Sequence, residues 1–399
     1  MERQSDHDRF LETTRFFSFI FSSYILSIIP HMANQPGSAS GTRLLSLDFM
    51  RGFIMVFLAF ESTGLYEHLY FATRNKFGNG LVQQFFHHPW HGLHFWDLIQ
   101  PGFMYIAGIS LALSLKKQEK TGMSWNESFI KTLKRCGWLF FWGVLNYAVH
   151  PEGLRLELSN VLTQLSVTTL VSFLIFRWSF AAQLMVCVGF LLLREVLYRY
   201  THVPGFDQPF TNQHNFGNYV DLVLTGRYNP EGWVSFNYVP TVVHTIAGAL
   251  TGKLLLSGKP VIRPLVIWGM VCFILGFGLD LSGITPIIKR IATSSFTLAS
   301  LGFCLWAFAC CYWWIDIRDH RKYLKFFTIV GMNSIFIYLF FEIVGSRWFN
   351  GYVIAITGGL MKMIHIESTP RSIISSLCIF VLEWLLCYFF YKKKIFFRL

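Results

Sequence analysis

Leu265-Val266-Ile267-Trp268-Gly269-Met270-Val271-Cys272-Phe273-Ile274-Leu275-Gly276-Phe277-Gly278-Leu279 runs without a single charged side chain. With Ile262 to Pro264 ahead of it, the run approaches the roughly 20 residues a helix needs to cross a bilayer. Similar runs recur along the chain. We read spans near 47–70, 93–115, 130–149, 157–176, 178–196, 238–256, 262–279, 292–315, 325–345 and 371–391. The sequence therefore predicts an all-α, polytopic transmembrane helical bundle of about ten spans. Composition agrees. Charged residues make up 14% of the chain, against roughly 25% in soluble domains. Such a surface must largely face lipid.

The net charge of +12 invites a nucleic-acid reading. Its distribution excludes one, because the basic residues sit in short clusters between apolar runs, such as Lys116-Lys117 and Lys392-Lys393-Lys394. No basic domain exists to track a phosphate backbone. These clusters orient the spans instead. Placing the start of the first span inside puts most lysines and arginines inside, and both chain ends with them. Tyr352 to Ile364 is short and Gly-interrupted, and reads as re-entrant or interfacial. Residues 1–42 form an N-terminal extension. Within it, Phe16 to Pro30 is short for a span and lacks a small-residue cleavage site, and Met32 is an alternative start. The patterned domain runs 43–399. The eight cysteines lie in or beside apolar runs and read as small buried residues, not as a disulfide framework.

Polar residues inside such spans are costly, at least ~2.5 kcal/mol for a charge on insertion scales, so each needs a reason. The densest group is His87-His88-Pro89-Trp90-His91-Gly92-Leu93-His94-Phe95-Trp96-Asp97. It runs from a long polar connection, 70–92, into the second span. Pro89 and Gly92 predict a turn before the helix. A carboxylate beside an imidazole fixes its tautomer and raises its basicity, which suits a general base. A metal site of His87, His91 and His94 is also permitted by spacing, without a further carboxylate or cysteine to complete it. Asp48 and Arg51 share a face at the start of the first span and can pair or hold a phosphate. Glu61 and Ser62 follow on the same span. Asn160, Gln164, His244, Asn333, Ser334 and Glu342 are further intramembrane polar groups, for which helix-to-helix hydrogen bonding is the plain account.

Three motifs stand in order: Leu47-Asp48-(x2)-Arg51-Gly52, Trp90-His91-Gly92-(x4)-Asp97-Leu98-(x2)-Pro101, and Gly331-Met332-Asn333-Ser334. Together they resemble the heparan-alpha-glucosaminide N-acetyltransferase family and its uncharacterised bacterial relatives, from about Arg43 to the C-terminus. The resemblance implies a membrane enzyme that takes an acetyl group from cytosolic acetyl-CoA to an amino sugar on the far side. It implies His87 as the catalytic histidine and Asp97 as the motif aspartate. Two positions depart from the family. Ser62 stands where the family has an asparagine, and Phe341 where the enzyme has a histidine before the glutamate matching Glu342.

The expected mechanism is direct transfer, with His87, supported by Asp97, taking the acceptor's proton. An acetyl-histidine intermediate is the variant. Asn333 or Gln164 would face the oxyanion. Arg51, with Asp48 beside it, and Lys253 would hold the coenzyme. Glu61, Ser62, Trp90, His91, Gln164, Asn333 and Glu342 would line the acceptor site, with His88, His91 and His94 as cavity wall. The partners expected are acetyl-CoA, an amino-sugar or polysaccharide acceptor and the lipid bilayer, with a homodimer left open, in a bacterial inner membrane. The rival readings are a secondary transporter of an organic acid or sugar, and an O-acetyltransferase of an envelope polysaccharide.

Overall fold

The computed structural model describes residues 44–74, 78–150, 153–154 and 156–397. The predicted extension, residues 1–42, lies outside them. The regular structure among the described residues is helical apart from a short antiparallel ladder, Val149–His150 with Gly153–Leu154. Helix α1 (Leu45–Ser62) ends where Gly64 turns left-handed, φ 72°, and α2 (Leu65–Thr73) follows. The expected first span is thus two helices. A short α3 (Asn79–Gln83) precedes the histidine loop, and a 3₁₀ turn (Phe95–Leu98) feeds α4 (Ile99–Lys120). Then come α5 (Trp125–Ala148), α6 (Val161–Leu174), α7 (Phe180–Tyr200), α8 (Phe216–Thr225), α9 (Tyr238–Leu256), α10 (Ile262–Leu281) and α11 (Ser294–Cys311). The last group is α12 (Leu324–Gly331), α13 (Ser334–Phe340), α14 (Asn350–Met363) and α15 (Ser368–Lys393).

Six helices among the described residues are long and apolar enough to cross a membrane, or seven if a bent pair counts as one span. Ten were expected. The difference has physical causes. Helix α1 carries Asp48, Arg51 and Glu61. Helix α5 carries Glu127, Lys131, Lys134 and Arg135. Helix α6 has only 14 residues, against the roughly 20 a span needs. The even count that placed both ends on one side therefore no longer follows. The bent pair is Leu324–Gly331 with Ser334–Met363, turned by 73°. Its second part is one continuous rod, because a π-helical stretch, Phe341–Phe349, joins α13 to α14. The stretch Tyr352 to Ile364, expected as re-entrant or interfacial, is the far half of that rod, whose helix ends at Met363.

Helices α7, α10 and α15 expose large apolar side chains such as Met185, Leu192, Ile274, Leu275, Val381 and Phe389. That is the surface a lipid-facing helix presents. Helices α4 and α9 lie at the centre, with Met104, Tyr105, Ile106, Ile109, Val243 and Ile246 buried. Small residues set their approach. A Cβ on Gly108 would stand 2.0 Å from the Thr245 carbonyl oxygen, and one on Gly248 2.0 Å from that of Tyr105. Gly252 meets Ala112 in the same way. Gly108 and Ala112 on α4 thus face Gly248 and Gly252 on α9, each pair four apart, a reciprocal small-residue crossing that brings the backbones together. Gly52 seats α1 against the Phe327 carbonyl of α12 on the same principle.

This crossing yields a first prediction. Gly248→Leu forces α4 and α9 apart and costs about 1–3 kcal/mol or more. Thermal scans in detergent should show a clear drop in Tm. Gly189→Leu should not, because nothing lies within 4 Å of its Cβ position.

Candidate functional site

The histidine loop is organised by one carboxylate. Asp97 is 1% exposed. Its Oδ1 lies 2.9 Å from His87 Nδ1. Its Oδ2 accepts the backbone N–H groups of His88 (3.2 Å) and His94 (2.9 Å). The His94 bond is half of a reciprocal cap on the 3₁₀ turn that starts α4. The neighbouring loop is drawn in by two further contacts. His91 Nε2 meets Asp280 Oδ1 at 2.7 Å, and Gly92 N–H donates to the Ile287 carbonyl at 2.9 Å. Gly92 holds φ 145°, and a Cβ there would strike the His88 ring.

That clasp delivers Lys289, a residue outside the predicted motifs. Lys289 is 6% exposed, with its Nζ 3.1 Å from His87 Nδ1 and 3.6 Å from Asp97 Oδ1. The Trp233 ring packs edge-on against His87, centroids 5.1 Å apart. Trp233 Nε1 donates to Glu231 Oε2 at 3.1 Å. A signal for Lys289 existed. With Arg290 it forms a cation pair set among Ile287, Ile288 and Ile291, on the side that cations avoid under the predicted topology.

The His87 imidazole is held down at about 4, below its ordinary 6.5. Removal from water is the main cause, and the Lys289 ammonium adds to it; together they outweigh Asp97. The expectation of a more basic imidazole is therefore reversed. Burial likewise lowers Lys289 to about 8, against the pull of Asp97 and Glu61.

A cavity of about 960 Å³ opens onto this cluster. Its walls include Asp48 and Arg51 at the start of α1 and Glu61 near its end. Thirteen residues of helix rise about 20 Å. Along α4 the lining runs from Ile99 to Ser114, about 22 Å at the same rise, most of the hydrocarbon thickness of a bilayer. The His87 end is completed by Glu157, Asn229, Glu231, Trp233 and Lys289, with Tyr147, Tyr338 and Glu342 also in the wall. Trp96 Nε1 donates to Glu61 Oε1 at 3.1 Å. At the other end Arg51 reaches Asp48 (3.4 Å) and Ser110 Oγ (2.8 Å). There a second cavity, about 540 Å³ and lined by Lys131, Lys134 and Arg135, shares Ser114 and Arg135 with the first.

The structure thus gathers His87, Asp48, Arg51, Glu61 and Glu342 on one cavity, with Asp97 directly behind His87. Other predicted residues fall elsewhere. Lys253 caps the end of α6, donating to the Phe176 carbonyl and lying over the Phe176 ring at 4.4 Å, and it is not in the cavity wall. Asn333 is spent on the C-terminal segment, donating to the Ile395 carbonyl (3.1 Å) and accepting from Phe397 N–H (3.0 Å). Gln164 stands behind the wall and accepts from Gln100 at 2.5 Å. Ser62 turns its hydroxyl to the Ala59 carbonyl. Trp90 donates to the Phe210 carbonyl at 2.8 Å. His88 and His94 pack ring to ring, centroids 4.8 Å apart, and none of His88, His91 and His94 lines the cavity. His87, His91 and His94 face Asp97, Asp280 and the Phe86 carbonyl respectively, and do not converge as metal ligands.

The chain is similar to two curated proteins named heparan-alpha-glucosaminide N-acetyltransferase. The mouse protein is 22% identical over 431 residues, covering 90% of this chain and 61% of that protein. The human protein is 23% identical over 431 residues, covering 91% and 61%. The chain thus spans about 61% of the length of these relatives. No protein-family model matches it.

Two predictions follow from the geometry. Asp97→Ala strands the buried Lys289 ammonium and two loop N–H groups, costing about 3–5 kcal/mol. The drop in Tm should exceed that of Asp280→Ala, whose partner His91 is half exposed. Acid titration tests His87 itself. Its imidazole takes a proton near 6.5 when unfolded and near 4 when folded. Its contribution to stability is therefore complete above 6.5 and lost as pH falls through about 4. Wild-type Tm should decline across that window more steeply than that of His87→Gln; equal slopes contradict the assignment.

Proposed function

This chain is a distant relative of the heparan-alpha-glucosaminide N-acetyltransferase family, and we propose that it is a membrane acetyltransferase. In this reading it takes an acetyl group from acetyl-CoA at the Arg51 end of the cavity and delivers it to an amino sugar at the His87 end. The carrying observation is that one cavity touches both ends. Arg51, Arg135, Lys131 and Lys134 supply the cations that a polyphosphate requires. They replace Lys253 in that role. The acyl-bearing arm then lies along α1 and α4 with its thioester beside His87. The positive-inside bias puts the basic end in the cytosol, and the setting is the cell membrane of a bacterium.

The chemistry needs an uncharged nucleophile. His87, backed by Asp97, removes a proton from the acceptor amine. The amine attacks the thioester carbonyl, the C–S bond breaks, and the departing thiolate takes up a proton. Glu61, Glu342, Glu157 and Glu231 favour a cationic acceptor before it is deprotonated. The Tyr147 and Tyr338 hydroxyls in the wall take the oxyanion role expected of Asn333 and Gln164. A transporter built on paired broken helices fits less well, since one bent pair occurs among the described residues.

The test is purified protein with labelled acetyl-CoA and glucosamine. Wild type should acetylate the amine. His87→Ala should lose about 10²- to 10⁴-fold in rate. A Lys131→Glu, Lys134→Glu, Arg135→Glu variant should raise KM for acetyl-CoA far more than it lowers kcat, and Lys253→Ala should change neither. Undiminished transfer by His87→Ala sinks the reading. Label on a hydroxyl instead of an amine moves it to a polysaccharide O-acetyltransferase.

A further inference from the structure

His87 Nδ1 has two suitors. Asp97 Oδ1 stands 2.9 Å away and can only accept while ionised. Lys289 Nζ stands 3.1 Å away and, as an ammonium, can only donate. A ring nitrogen has one in-plane site. It either carries a proton and donates to Asp97, or is bare and accepts from Lys289. Whichever partner wins fixes the opposite nitrogen. If Lys289 donates to Nδ1, the neutral ring carries its proton on Nε2, and that nitrogen cannot act as a base. If Nδ1–H donates to Asp97, Nε2 is bare.

We propose that Lys289 is a positioning residue that sets the tautomer of His87: its ammonium holds Nδ1 bare and the base off, and its withdrawal lets Nδ1–H pair with Asp97 and turns the base on. The withdrawal needed is small. The ammonium already stands 3.6 Å from Asp97 Oδ1, so a shift of about half an ångström exchanges one partner for the other. Loss of the lysine proton has the same effect, because an amine donates weakly. In the switch the Nε2 proton passes to solvent and Nδ1 takes one, from the Lys289 ammonium when the lysine loses its proton or from solvent when the ammonium only moves away, with no change in the ring's own charge. The groups facing Lys289 are His87, Asp97 and Glu61, with Arg290 opposing its charge and the Trp233 ring 5.6 Å from its Nζ. Asp97 and Glu61 favour the ammonium. Burial opposes it more strongly and brings Lys289 to about 8, so its charge changes close to neutral pH. For the acetyl transfer proposed above, on which the catalytic consequence rests, this makes His87 available only when Lys289 has let go.

The test reads the imidazole without any acetyl donor. Carbethoxylation by diethylpyrocarbonate requires a bare ring nitrogen that the reagent can reach; Nδ1, held between Asp97 and Lys289, is blocked, so reaction reports a bare Nε2. Its rate at His87 is followed by peptide mass spectrometry from pH 6 to 9 in the full-length protein. The buried His244 reports on folding in the same digest, since it reacts only if the bundle opens. Wild type should show a step near pH 8. Lys289→Met should lose the step and react about tenfold faster at pH 7, the neutral fraction of a group near 8 being about one tenth there. Lys289→Arg, which keeps its charge, should stay slow to pH 9. If Lys289→Met reacts at the wild-type rate with the wild-type step, the switch is wrong. If that variant opens, with His244 reacting, the arginine variant decides: a retained step overturns the proposal. A normal lysine response in a protein that transfers no acetyl group leaves the switch standing and removes the acetyltransferase reading alone.

Discussion

A buried carboxylate at the head of a transmembrane helix is costly, and the loops around Asp97 are arranged to satisfy it. Asp97 is met by two backbone N–H groups, an imidazole and an ammonium. Three of these come from the segment just before it. The fourth, Lys289, comes from 192 residues further on, held in place by the Gly92–Ile287 and His91–Asp280 contacts. The same contacts that make Asp97 tolerable place His87 at the cavity wall. Folding of the loop and assembly of the site are one event.

The lipid-facing architecture was legible because composition and periodicity report directly on burial. The all-helical class, the central α4 and α9 segments and the lipid-exposed α7, α10 and α15 all follow from runs of apolar residues. The number of spans was not legible. Hydropathy cannot tell a helix that crosses lipid from one such as α1, whose Asp48, Arg51 and Glu61 face a cavity inside the bundle. Nor could it see that Met332 and Asn333 break a span, since both residues are tolerated in a helix and the 73° bend is a tertiary effect.

For the site, local pairs were legible and distant ones were not. His87 with Asp97, and Asp48 with Arg51, lie within ten residues of one another, and a turn or a helix face brings them together. Lys289, Trp233 and Glu231 join only through packing between separate loops, which spacing does not encode. Lys253, Asn333 and Gln164 are polar and intramembrane, which drew attention to them, and each satisfies a backbone or side-chain group of the fold. In a bundle without water, most polar side chains serve such needs first.

The charges along the cavity give it a direction. At the Arg51 end, Lys131, Lys134 and Arg135 add cations around the junction of two cavities. At the His87 end the wall carries Glu61, Glu157, Glu231 and Glu342. Lys289 runs against this gradient, since a lone ammonium there would repel a cationic ligand. It does so only if Asp97 is ignored. Asp97, neutral His87 and Lys289 sum to zero charge, and over the distance to a ligand such a compact group acts as a dipole, while a single ammonium in low dielectric would act at long range. Under the proposed acetyl transfer, the acidic wall would meet an incoming amine and the basic end would draw an anionic coenzyme. Two ligands of opposite sign could then occupy one continuous cavity without exchanging places, and the buried Asp97–Lys289 pair lets a lysine stand beside His87 without reversing that order.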